Sequence, residues 1–122
     1  MKQLTHLSKL TGNEPTVARQ IAVIYRDKGD YRKAAYWWDR ALESDPYDEA
    51  SHEGLARALL QAGENERAIR AFTLLLRLRP TDAACYDGLA QACRGAGKRD
   101  EAEKMEKQAA KLRSAASAPA DQ

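Results

Sequence analysis

Cysteine is scarce in this chain, with two residues in 122, Cys85 and Cys93. They fall eight apart in a segment that reads as one helix, separated by about 12 Å along its axis at 1.5 Å per residue, too far to bridge each other. No disulfide framework exists, and free thiols fit a reducing compartment. Histidine is as rare: His6 and His52 are the two present. Neither stands at metal-ligand spacing, so both read as surface or half-buried side chains and no metal or other cofactor is expected. No apolar run approaches the length of a membrane span. The opening MKQLTHLSKL lacks the uninterrupted apolar core and small-residue cleavage site of a secretion signal, so the cytoplasm is the expected location.

A surplus of one charge is also missing. Twenty lysines and arginines against 18 aspartates and glutamates leave +2, which argues against a disordered polyelectrolyte and against nucleic-acid binding, there being no basic stripe with interleaved aromatics. Glycine forms no phosphate-cradling loop. Carboxylates are numerous, but they fall on solvent faces of the expected helices, with no apolar pocket to shift their pKa. Cys93 falls in an apolar column, which disfavours a reactive thiolate. The expectation is a protein that is not an enzyme.

What the chain has is repetition. A shift of 34 residues aligns Gly29, Gly63 and Gly97, then Ala22, Ala56 and Ala90, then Ala34, Ala68 and Ala102, and brings Pro46 onto Pro80. Apolar columns follow: Ile21, Leu55 and Leu89; Tyr25, Leu59 and Cys93; Leu42, Leu76 and Ala110. Units over 15–48, 49–82 and 83–114 result. Within the second, Leu55, Ala56 and Leu59 precede the glycine and Ala68, Phe72, Leu75 and Leu76 follow it, at the three-and-four spacing of buried helix stripes. Each unit is therefore a helical hairpin. Its glycine closes the first helix in the left-handed conformation, and its proline stops the second.

These columns resemble the tetratricopeptide repeat (TPR), a helix–turn–helix unit of 34 residues. The first unit carries the resemblance in Ile21, Ala22, Tyr25, Gly29, Ala34, Trp38, Ala41 and Pro46. The second carries it in Leu55, Ala56, Leu59, Gly63, Ala68, Phe72 and Pro80, with Leu75 where alanine is usual. The third carries it in Tyr86, Leu89, Ala90, Gly97, Ala102 and Ala109. The implied fold class is all-α, an α-solenoid of three TPR hairpins in a short right-handed superhelix.

The third unit departs from the pattern with Glu106 in the column of Trp38 and Phe72, and Ser114 in that of the prolines. A carboxylate is costly in a buried slot between helices, so the last helix is expected to end the array and face water, with SAASAPADQ beyond it as a disordered tail over 115–122. Residues 1–14 place Leu4, Leu7 and Leu10 in register with a second helix. They are either a short cap or the remnant of a preceding repeat.

Trp38 is expected in the core between the two helices of its own hairpin. Trp37, in a column with Ala71 and Met105, either fills a junction between units or, with Tyr36, offers a partly exposed secondary surface to a partner. The resemblance further implies a concave groove lined by the first helix of each unit, with Arg19, Val23 and Arg26, then Glu53, Arg57 and Leu60, then Asp87, Gln91 and Arg94 as candidate partner-binding residues. Guanidinium forks there suit a protein or peptide segment with acidic anchors; alternatively the arginines are solvated or pair with Asp27, Glu53 and Asp87. The carboxylate clamp of heat-shock co-chaperones is not implied, because its positions hold Arg19, Val23, Gly54, Ala84 and Gly88, of which only Arg19 fits.

The function expected is a non-catalytic interaction module, an adaptor, scaffold or assembly chaperone. The alternative is the substrate-recruiting TPR region of a larger enzyme or of a secretion or assembly component. Neither nucleic acid nor membrane is an expected partner, and the chain is expected as a monomer or a weak homo-oligomer through its exposed ends.

Overall fold

Local sequence sets the six helices that the computed structural model describes over residues 15–117: α1 (Pro15–Asp27), α2 (Tyr31–Ser44), α3 (Glu49–Gln61), α4 (Asn65–Leu78), α5 (Ala83–Gly95) and α6 (Arg99–Ser117). Aspartates begin three of them. Asp30, Asp48 and Asp82 accept hydrogen bonds from the amides of Lys33, Ser51 and Ala84 at the starts of α2, α3 and α5, satisfying donors that the first turn leaves without partners. Each hairpin turns on a glycine in the left-handed region, with φ of 80° at Gly29, 79° at Gly63 and 81° at Gly97. The residue after each glycine donates back to the first helix, Asp30 to Tyr25, Glu64 to Leu59 and Lys98 to Cys93, the six-to-one bond of a Schellman motif.

The prolines act as expected where they occur. Helices α2 and α4 are 14 residues long and stop shortly before Pro46 and Pro80, whereas α6, with Ser114 in that column, runs for 19 residues. The tail expected from residue 115 is thus helical through Ser117, because nothing there forbids a further turn. Residues 118–122 lie outside the described residues, as does the N-terminal segment 1–14 with Leu4, Leu7, Leu10 and His6.

Successive helices pack antiparallel into three hairpins, and each second helix also packs on the first helix of the next hairpin. One continuous core results, from Ala18, Ile21 and Tyr25 at one end through Leu55, Leu59, Phe72 and Leu75 to Leu89, Cys93 and Ala102. Its alanine columns are buried to the backbone: Ala34, Ala68 and Ala102 expose no surface, which lets helix axes approach closely.

The aromatic column does something else. The Trp38 ring sits over Gly54 of the following hairpin, and the Phe72 ring over Gly88, each in space that a β-carbon would fill. Trp38 is therefore not confined to its own hairpin, as its helical spacing suggested; it locks that hairpin to the next. Phe72 repeats the device one unit on. The third unit has no following hairpin, and there Glu106 turns back to Arg94 instead.

Candidate partner-binding groove

Between the first two hairpins lies a cleft of about 630 Å³, lined by Arg26 of α1, Tyr31 and Trp38 of α2, and Ala50, Glu53, Gly54, Arg57, Ala58 and Gln61 of α3. It exists because Gly54 has no side chain and Ala50 and Ala58 have short ones, so the indole of Trp38 forms part of the floor. Three of the groove residues expected from sequence, Arg26, Glu53 and Arg57, meet here. Val23 and Leu60 are partly buried and pack against the core, contributing apolar edges to the face carried by α1 and α3.

The charged residues form a specific set of pairs. Arg26 holds Asp27 through Nε and Nη2, at 3.2 and 3.0 Å, and Arg57 Nε donates to Glu53 at 3.2 Å. The Arg57 guanidinium also lies 5.9 Å from the centre of the Phe72 ring. Among the described residues, Nη1 of Arg26 and both terminal nitrogens of Arg57 have no acceptor, so each keeps a donor turned outward. The other arginines of the set are engaged. Arg19 reaches Asp48 at 3.0 Å, Arg94 grips Glu106 in two bonds of 3.0 and 2.6 Å, and Asp87 is taken by Arg113. Gln91 is exposed on α5. Pairing with Asp27 and Glu53 matches one alternative read from sequence; the partners of Arg19, Arg94 and Asp87 do not.

Beside the cleft, Arg79 ties α3 to the start of α5. It donates to Glu49 at 2.7 Å, to Glu53 at 2.8 Å and to Asp82 at 3.5 Å. Burial alone would raise the Glu53 carboxyl, but hydrogen bonds from Arg79 and Arg57 outweigh it and hold the group below its ordinary value. Asp48 and Asp82 behave alike: burial opposes ionisation, while Ser51 and Arg19 in one case, and Cys85, Ala84 and Arg79 in the other, lower the carboxyl. Cys85 is buried and bonded to Asp82, and burial followed by that carboxylate pushes its thiol up to about 12. Cys93 is buried and raised as well. Neither thiol is a nucleophile in this setting. Among the described residues no cluster of three or more metal-ligating side chains occurs, and no described helix is long and apolar enough to cross a membrane.

On the opposite face Tyr36 is 52% exposed and meets Trp37 edge-on, ring centres 5.4 Å apart. Arg40 lies over both rings and donates to the Tyr36 hydroxyl at 2.9 Å. Trp37 itself is 5% exposed, which overturns its reading as part of a secondary surface; Tyr36 is what remains outside. Sequence reasoning also left Tyr31 and Trp38 out of the groove. The signal for Trp38 was present in the column Gly54 and Gly88, which has glycine wherever an aromatic precedes it by 16 residues.

A family model described as tetratricopeptide repeat matches residues 19–83 and again 53–119. The fold is similar to solved structures of MamA MSR-1 (TM-score 0.85, 22% identity, 95% of this chain and 67% of that one) and MamA AMB-1 (0.85, 22%, 98% and 64%). It is similar also to MamA 41-end from Desulfovibrio magneticus RS-1 (0.82, 21%, 91% and 63%). At these identities the likeness is one of fold. The chain spans about two thirds of the length of these structures, 63–67%. No curated protein matches it in sequence.

Proposed function

The chain belongs to the tetratricopeptide repeat family, and from that premise we propose that it is a non-catalytic interaction module that receives a protein segment in the groove carried by α1, α3 and α5. The cleft between the first two hairpins carries this reading. It joins an apolar floor, formed by Trp38, Ala50 and Gly54, to the outward donors of Arg26 and Arg57. A partner strand or helix would place an apolar side chain on that floor and an acidic one between the two guanidinium groups, where a charge-assisted bond is stronger than a neutral one. Roles as adaptor, scaffold or assembly chaperone are equally compatible with such a surface, since a repeat scaffold does not define its partner.

The test is a pull-down with wild type beside Arg57→Glu/Leu60→Ala and, as a control on the outer face, Tyr36→Ala, all checked for helicity. A partner held by wild type and the control but lost by the groove variant supports the reading. Equal retention by the groove variant sinks it and moves the binding surface to the Tyr36 side. A second reading, the recruiting region of a longer enzyme or assembly component, draws on the greater length of the structurally similar proteins; a reading frame open upstream of Met1 would support it.

A further inference from the structure

Helix α1 has a face that its two internal copies keep covered. Ile24 is 37% exposed, while Ala58 and Ala92, the residues of its column, are 4% and 0% exposed. Gln20 is exposed, while Gly54 and Gly88 in its column lie under Trp38 and Phe72. Val17 is partly buried where Ser51 and Cys85 are wholly buried. In α3 and α5 this face is covered by the second helix of the preceding hairpin. No described residue precedes α1 to do the same.

The cover is written in the sequence. Leu4 falls in the column of Trp38 and Phe72, and Leu7 in that of Ala41 and Leu75, all four of which are core residues. We propose that residues 1–10 lie along α1 as α2 lies along α3, with Leu4 against Gln20 where Trp38 meets Gly54. The side-chain volumes compensate: a large ring over glycine in the interior becomes a mid-sized leucine over glutamine at the end, which conserves the filling of the slot.

A second copy of the chain is the other candidate, and its α6 would be the donor of a head-to-tail contact. That helix carries Glu106 in the column concerned, paired with Arg94 and half exposed. Setting a carboxylate on Ile24 and Val17 would cost its hydration and that pair. The two ends of the array are therefore unlike: α6 closes itself with an ion pair, and α1 needs an apolar cover from its own chain.

The experiment uses the full chain with Leu4→Cys and Gln20→Cys, treated with a short thiol-to-thiol cross-linker; the native cysteines are buried and stay unmodified. A cross-link within the monomer, seen as a faster band on a non-reducing gel, is expected. A link that forms only between chains assigns the face to a second copy and overturns the proposal, and no link overturns it too. Hydrogen exchange of Leu4→Asp/Leu7→Asp gives an independent readout: amides of α1 should lose protection by on the order of tenfold while those of α4 to α6 keep theirs. Unchanged protection in α1 would equally overturn it.

Discussion

Trp38 and Gly54 share one site: a β-carbon on Gly54 would fall 2.2 Å from Cε2 of the indole and 2.5 Å from Cζ2. Gly54→Ala should therefore force the ring or α3 aside and cost about 1–3 kcal/mol, the range for overpacking a filled core. The φ of Gly54 is ordinary, so the effect isolates packing from backbone strain. Chemical denaturation measures it, and a midpoint equal to wild type would show that the two hairpins separate without loss. The same substitution at Gly88, 2.3 Å from Phe72 Cζ, should behave alike.

Arg79 and Arg113 occupy one column but different surroundings. Arg79 serves Glu49, Glu53 and Asp82 and is 27% exposed, whereas Arg113 holds Asp87 alone at 56% exposure. Arg79→Leu is expected to lower stability by about 1 kcal/mol, as a partly shielded network exceeds an isolated surface pair. Arg113→Leu should leave the melting temperature unchanged. Equal losses for the two would refute the network.

Acid should destabilise the fold. Asp48, Glu53 and Asp82 are all held below their ordinary values in the folded state. Their contribution is complete above the unfolded carboxylate range near pH 4 and disappears as pH falls through the lowered folded values. Asp39 has the opposite sign: burial raises it, Arg67 offsets only part, and its contribution disappears as pH rises. With three groups against one, the urea midpoint at pH 3 should lie below that at pH 6; a midpoint that rises would reverse the assignment.

Cys85 should resist alkylation at pH 8 in the native protein and react once urea unfolds it, because its thiol is buried and pushed up to about 12. Cys85→Ser should cost less than about 1 kcal/mol, since Ser51 fills the same column and donates to Asp48 at 2.5 Å as Cys85 bonds Asp82. Rapid native alkylation, read by mass spectrometry, would contradict the burial.

Most of the fold was legible in the chain because its determinants are local and recur. A glycine that must take positive φ, a proline that cannot continue a helix, and alanine columns at a 34-residue period identify hairpins one unit at a time. The candidate site was less legible. Arg26, Glu53 and Arg57 converge as their register implies, but Trp38 was placed within one hairpin and Trp37 was left open to solvent, since helical spacing tells which face a side chain takes and not which neighbour meets it.

By itself, the sequence determined three hairpins, their turns and the face each helix buries, because propensity and periodicity act within a few residues. Tertiary structure alone decided that Trp38 closes on Gly54, that Trp37 is covered, and that Arg94 chooses Glu106 while Asp87 goes to Arg113. Those outcomes depend on distances between helices far apart in the chain. Such distances follow from how the hairpins stack, and side chains then pair with whichever group the stacking brings within 3 to 4 Å.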